Sequence, residues 1–406
     1  RRGHWNHVLL NGVKQMTFDT IKNNEKKFIM PTYSRFDTAL VSGKGATAMD
    51  CGGKEYIDFT AGIGVNSLGY CDSKWAQVVA MQAKTLQHTS NLYYSPLQAE
   101  LASKLCGLSG MSKVFFGNSG AEANECAIKL ARKYGTDNFG DGHTEIITLK
   151  NSFHGRTVTT LAATGQNEFH EYFTPLTGGF KYASPNMESI KKNAGENTCA
   201  VMVELIQGEG GVIPLGKEFV KELRGFCTKN KLLLIVDEVQ TGVGRTGAFY
   251  CYQNYGITPD IVTSAKGLGG GLPIGACLCC GALGDVMGKG SHGSTFGGNP
   301  VVCAGALEVL KRVGSKPFLD SVNEKGAYMS EKLQGMAGIA FVRGMGLMLG
   351  AKPASGSPAQ IAAKCAANGL LVLTAKDVLR FLPPLVITKD EIDRGLQILK
   401  QTLSSI

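Results

Sequence analysis

The chain has 406 residues, 43% of them hydrophobic and 18% charged, the composition of a globular protein long enough for two domains or one large domain with an appendage. No apolar run is long enough to span a bilayer and none near the N-terminus has the form of a signal peptide, so the chain reads as cytoplasmic, with no membrane partner. The formal charge of +9 is scattered among acids, as in Lys-Asn-Asn-Glu-Lys-Lys (22–27), so a solvated surface with mild attraction for anionic metabolites outweighs a nucleic-acid partner.

In chain order, residues 1–15 have no clear periodicity and Met16 opens a more helix-like stretch. The expectation is a leader foreign to the natural chain, with Met16 as the natural start. Tyr56 to Thr60 reads as a short strand, and helical periods follow at about 73–88, 96–107 and 121–134. The middle of the chain then alternates. Strands are predicted at 145–149, 200–205, 232–236, 261–264 and 276–280, with a helix over 217–229. That alternation implies βαβ units and a mainly parallel α/β sheet with ligands at the carboxyl ends of its strands. A long helix pattern from Asn299 to about Val313 leads out of this region. Helices at 317–335, 357–367 and 389–404 and strands at 339–342 and 347–351 suggest a small α+β domain.

The twelve cysteines are spread through predicted elements, which points to reduced, buried thiols rather than a disulfide framework. The C-x-x-C at Cys277 to Cys280 lies inside an apolar run with no second Cys/His pair at zinc spacing, so it reads as core thiols and no metal is expected.

Two strand ends carry chemistry. Lys266 closes Asp-Ile-Val-Thr-Ser-Ala-Lys (260–266) just before Gly-Leu-Gly-Gly-Gly, and Asp237 closes an apolar run 232–236. Burial at a strand end lowers a lysine pKa and frees its amine for Schiff-base chemistry. A lysine with an acid at a neighbouring strand end meets the needs of pyridoxal 5'-phosphate (PLP), whose ring nitrogen a carboxylate keeps protonated. Asp237 could equally cap a helix.

Gly117 to Asn124, Gly-Asn-Ser-Gly-Ala-Glu-Ala-Asn, leads into a helix with Ser119 as N-cap. Free N–H groups and the helix dipole suit a phosphate there, although taken alone the segment is first a plain capping box of Ser119 and Glu122. Gly242-Val-Gly-Arg-Thr-Gly247 matches a dinucleotide fingerprint. Five residues separate it from its strand, however, and no good helix follows, which argues against NAD. Phe153 could stack on a ring or simply pack in the core. Arg156 and Arg380 could each clamp a carboxylate, though most arginines are merely solvated.

Several long segments in one order resemble the class III, fold-type I PLP-dependent aminotransferases from about Tyr33 to the C-terminus. They are 117–124, Ser-Phe-His-Gly-Arg-Thr (152–157), Ile-Gln-Gly-Glu-Gly-Gly (206–211), Val-Asp-Glu-Val-Gln-Thr-Gly-Val-Gly-Arg-Thr-Gly (236–247), Ser-Ala-Lys-Gly-Leu (264–268) and His-Gly-Ser-Thr-Phe-Gly-Gly-Asn-Pro (292–300). The resemblance implies a large PLP-binding domain with a mainly parallel central sheet flanked by helices, spanning 61–300. It also implies a small α+β domain over 301–406, to which 16–60 contributes.

The resemblance implies roles as well. Lys266 joins the cofactor and shuttles a proton; Asp237 holds the pyridinium, Val239 packs beneath the ring, Phe153 stacks above it and Gln240 bonds the phenolic oxygen. Ser119, Gly120 and Ala121 cradle the phosphate, with Thr295 reaching it from a partner subunit, which makes a homodimer with shared sites. Arg156, helped by Tyr33, takes the α-carboxylate of the amino donor. Arg380 takes that of 2-oxoglutarate, and Glu209 neutralises Arg380 while the donor is bound. Thr-Ser-Asn-Leu-Tyr-Tyr (89–94) and Arg-Phe-Leu-Pro-Pro-Leu (380–385) are most similar to members that use N-acetylornithine. Ornithine, succinylornithine and 4-aminobutyrate stay open as donors. One departure is Leu205, where the family usually has proline; leucine restores a backbone N–H.

Overall fold

The computed structural model describes residues 16–406; the leader expected over 1–15 lies outside the described residues. Helix α1 (Phe18–Phe28) is followed by strands β1 (Leu40–Lys44), β2 (Thr47–Asp50) and β3 (Glu55–Asp58), then α2 (Ala61–Gly64), α3 (Ser73–Thr85) and α4 (Pro96–Ser109). Next come β4 (Lys113–Gly117), α5 (Gly120–Phe139), β5 (Glu145–Leu149), α6 (Val158–Ala163), β6 (Phe180–Ala183), α7 (Met187–Asn193) and β7 (Thr198–Val203). A small hairpin, β8 (Ile206–Gln207) and β9 (Ile213–Pro214), leads to α8 (Lys217–Lys229), β10 (Leu233–Asp237), α9 (Tyr252–Tyr255), β11 (Ile261–Ser264) and β12 (Gly275–Cys279). The chain ends with α10 (Pro300–Val313), α11 (Lys316–Gln334), β13 (Ile339–Met345), β14 (Met348–Pro353), α12 (Pro358–Ala367), β15 (Leu370–Leu371), β16 (Leu373–Ala375), β17 (Val378–Phe381) and α13 (Lys389–Ser404).

Seven strands form the central sheet in the order β4-β12-β11-β10-β7-β5-β6. It is parallel from β11 through β6, and β12 alone runs against its neighbours β11 and β4. β7, β10, β11 and β12 are buried at every position, as expected of strands covered on both faces, whose apolar runs are continuous rather than alternating. This is the α/β architecture expected from the sequence. Helix α5 covers the sheet with Ala123, Ala127 and Ala131 buried, small residues that let it lie close to the strands. Of the C-x-x-C, Cys277 is buried on β12 as expected of a core thiol, whereas Cys280, one residue past the end of the strand, is half-buried.

A second sheet, β13-β14-β17-β16, is antiparallel, and β15 adds a parallel edge to β3 of the N-terminal strands. Among the described residues no helix is long and apolar enough to cross a membrane. Because β12 is antiparallel, its first residue Gly275 lies opposite Gly117, the last of β4. The turns after β4, β5, β7, β10 and β11 therefore gather at one edge of the sheet.

Candidate active site

That edge encloses a cavity of about 460 Å³ lined by Ser119, Gly120, Ala121, Phe153, Arg156, Glu204, Asp237, Val239, Gln240 and Lys266, among others. The size is ordinary for a small-molecule site. Lys266 leaves β11 on a turn of 3-10 helix and takes φ 42°. This left-handed conformation costs a non-glycine residue on the order of 1–3 kcal/mol, and such strain is typically found where side-chain direction matters. Burial pushes the Lys266 amine below the ordinary lysine range, although Asp237 and Glu209 oppose it.

Asp237 ends β10 with its carboxylate fixed by three donors. Asn124 Nδ2 and His154 Nδ1 both donate to Oδ2 at 2.8 Å, and the Val239 N–H donates to Oδ1 at 3.0 Å. Asn124 also donates to the His154 carbonyl at 2.7 Å, and His154 Nε2 is buried without a protein partner. Pattern reading of the sequence missed both residues. Asn124 closes the capped segment and His154 follows Phe153, yet their partner is 113 and 83 residues away.

Glu204 accepts the N–H groups of Phe153 at 2.9 Å and Gly208 at 3.2 Å. Burial pushes its carboxyl up to about 7, Asp237 adds to the shift, and His154 and the two N–H donors pull against it. It too went unnoticed in the sequence, because Glu204 sits one residue beyond an otherwise apolar strand.

The phosphate-type turn is built differently from the capping box read in the sequence. Ser119 Oγ does accept the Glu122 N–H at 3.1 Å, but Glu122 Oε2 reaches back to the N–H and side-chain amide of Asn118, not to Ser119. The first-turn N–H groups of Gly120 and Ala121, both lining the cavity, have no intrahelical acceptor. A Cβ at Gly120 would stand 2.6 Å from Val239 Cγ1, so only glycine lets the helix start lie against Val239.

Arg156 is exposed at the cavity mouth, its guanidinium 4.2 Å from the centre of the Phe169 ring and 5.5 Å from that of Phe153. Arg380 lies behind Gln240, 3% exposed, with Nη1 donating to Glu209 Oε1 at 2.5 Å and to Gln240 Oε1 at 3.2 Å. Burial works against Glu209 ionising, but the adjacent Arg380 prevails and holds its carboxyl below the usual range. Two expected residues lie outside this group: Tyr33 is 73% exposed in a separate crevice beside α1, and Thr295 is exposed on the 288–299 loop. The glycine pattern 242–247 is followed by the single-turn helix α9, too short to seat a pyrophosphate.

The family model for "Aminotransferase class-III" matches residues 29–403. This chain belongs to the class-III aminotransferases. An acetylornithine aminotransferase from Haemophilus ducreyi is 47% identical to this aminotransferase over 394 residues, covering 96% of this chain and all of that protein. Among solved structures, an ornithine aminotransferase from Toxoplasma gondii superposes with a TM-score of 0.93 at 30% identity, covering all of this chain and 99% of that one. An N-acetylornithine aminotransferase from Stenotrophomonas maltophilia does so with a TM-score of 0.81 at 34% identity, covering 94% and 98%. Class-III aminotransferases use PLP, and the cavity's donor set fits it. A helix start with free N–H groups suits the phosphate, a buried carboxylate suits the ring nitrogen and a deprotonation-prone amine suits the aldehyde.

Proposed function

We propose that this aminotransferase moves the terminal amine of N-acetylornithine to 2-oxoglutarate in a ping-pong sequence, giving N-acetylglutamate semialdehyde and glutamate for arginine biosynthesis in the cytoplasm. The observation that carries the two-substrate reading is the buried Arg380–Glu209 pair beside Gln240. One position must accept a cationic amine from the first substrate and a carboxylate from the second, and a cation with a detachable acidic partner does both.

PLP, when bound, supplies an aldehyde that takes up an amine and a ring that draws electrons from the carbon next to it. Lys266, with its lowered pKa, would hold the cofactor and carry a proton between the substrate carbon and the cofactor carbon that received the amine. Asp237, held by Asn124 and His154, would keep the ring nitrogen protonated. Val239 and Phe153 would pack against the ring, Gln240 would bond its phenolic oxygen, and Ser119, Gly120 and Ala121 would receive the phosphate; all six line the cavity. Arg156 takes the donor's α-carboxylate and so turns its distal amine inward.

Tyr33 and Thr295 complete the site across a homodimer in this reading, each reaching the cavity of the partner subunit or lying at the shared mouth. Their exposure supports it, as do the bare apolar side chains of Leu92, Tyr93, Tyr94 and Phe296. The division into 61–300 and a smaller domain of 301–406 with 16–60 belongs to the same proposal, supported by the β3–β15 pairing.

The test is glutamate formation with both substrates present, followed by kcat/KM for acetylated against free ornithine. The proposal expects the acetylated donor to win. Preference for free ornithine would shift the assignment to the activity named for the Toxoplasma structure. No glutamate from any ω-amine donor would overturn it.

A further inference from the structure

The segment Gly242 to Gly247 is unexplained by cofactor or substrate binding, yet it holds one of the largest fully buried side chains of the described residues. Arg245 is 2% exposed. Its Nη1 donates to the Leu347 carbonyl at 2.9 Å and to the Pro383 carbonyl at 2.6 Å, and its own carbonyl accepts the Leu347 N–H at 3.0 Å. Burial pushes the guanidinium down to about 9, with Asp58 the charge that counters it. The partners lie at the turn between β13 and β14 and just beyond β17, 102 and 138 residues away. The close approach is built in. Gly346 takes φ 55°, and a Cβ there would stand 2.7 Å from the Arg245 carbonyl oxygen. Asn323 of α11 adds a bond to the Gly247 carbonyl at 3.0 Å.

Arg245 thus joins two pieces of the site from behind. On one side it follows Gln240 by five residues in a turn tied back to β10, where the Gly242 N–H donates to the Glu238 carbonyl at 2.9 Å. On the other, Pro383 follows Arg380 by three residues. Inside the site the same two segments meet through Gln240 and Arg380 at 3.2 Å, a contact that must loosen if Arg380 turns toward a carboxylate. We propose that Arg245 is a positioning residue. It fixes the end of β17 to the turn after Gln240, so that the Arg380 side chain can exchange Glu209 for a substrate carboxylate while its backbone stays in place.

This inference rests on the substrate roles proposed above, so its test separates the two half-reactions. Arg245→Met leaves the Leu347 and Pro383 carbonyls without their donor. The KM for 2-oxoglutarate in the acceptor half-reaction should rise about tenfold or more, with the donor half-reaction and the bound-cofactor spectrum changed far less. Arg245→Lys, which keeps a donor, should recover part of the loss. Hydrogen exchange of the holoenzyme gives a second readout. The N–H of Leu347, bonded to the Arg245 carbonyl, and the N–H groups of Leu382 and Leu385, which flank the two prolines, should exchange as slowly as the central sheet in the natural enzyme and faster in Arg245→Lys.

Equal losses in both half-reactions, or none, would overturn the proposal. So would fast independent exchange at Leu347, Leu382 and Leu385 in the natural enzyme, a result available even if Arg245→Met does not fold. A natural enzyme that makes no glutamate from 2-oxoglutarate would instead refute the substrate roles. The exchange pattern would still decide whether Arg245 ties the two segments.

Discussion

Arg380 and Glu209 meet across 171 residues of sequence, Nη1 to Oε1 at 2.5 Å, with Gln240 Oε1 sharing the same nitrogen at 3.2 Å. Glu209→Gln keeps the shape and removes the charge that masks Arg380. The amine donor's kcat/KM should fall about 10–100-fold, the cost of losing a hydrogen bond between charged groups, while the KM for 2-oxoglutarate stays level or drops. Stopped-flow measurement of each half-reaction checks this; matched falls in both would contradict the switch.

Glu238 is fully buried, with the Tyr252 N–H on Oε1 at 2.8 Å and the Thr241 hydroxyl on Oε2 at 2.6 Å. Burial pushes its carboxyl up to about 7 against those donors, while an unfolded glutamate titrates near 4.5. A folded pKa above the unfolded one favours folding fully below pH 4.5, and that advantage drains away as the pH rises toward 7. By pH 8 the loss is up to about 3 kcal/mol, and Glu204 tilts the same way. A glutamine would still accept from Tyr252, and its amide would donate to the Thr241 oxygen. Glu238→Gln should therefore be the more stable protein at pH 8, by up to about 3 kcal/mol, and by less than about 1 kcal/mol at pH 5. Urea unfolding at the two pH values decides it, and a gap that widens toward acid would refute the argument.

His154 and Asn124 both serve one oxygen of Asp237. Replacing either with Leu should weaken cofactor binding about 10–100-fold. Their effects should not add, because the first loss already frees the carboxylate to rotate. Spectroscopic titration of the cofactor-free proteins supplies the four constants of the cycle, and strict additivity would show that the residues act separately.

Gly120→Ala sets two effects against each other. Alanine favours a helix over glycine by at most about 1 kcal/mol, and by less at this first helical position, but its Cβ would press into Val239 Cγ1 at 2.6 Å, and overpacking costs about 1–3 kcal/mol. The steric term should prevail at the cavity: cofactor affinity falls about tenfold with helix content unchanged. Unaltered affinity in the same titration would mean that Val239 yields freely.

Much of the frame was legible in the sequence because local chemistry wrote it there. Helix α8 and helix α13 run as read, 217–229 and 389–404, since each carries one apolar stripe. Buried strands β10 and β11 announced themselves as apolar runs ending in Asp237 and Lys266. β17 did not, because Arg380 interrupts a four-residue strand and its charge is satisfied by Glu209 far away in sequence; that pair entered only through resemblance. β4 was missed for a similar reason, being a short strand with Lys113 at its exposed start. The support of Asp237 by Asn124 and His154 had no local signature at all, since the strand order that brings them together is set by the whole sheet.

The reversed strand β12 has a consequence for how the enzyme comes into being. Since Gly275 must lie against Gly117, the turn that would hold the phosphate is not braced until β12 has left the ribosome, and Arg380 emerges about a hundred residues later still. A growing chain can thus complete its first helices and strands well before it owns a site. Cofactor capture belongs at the end of folding, and it favours finished molecules over nascent ones by mass action.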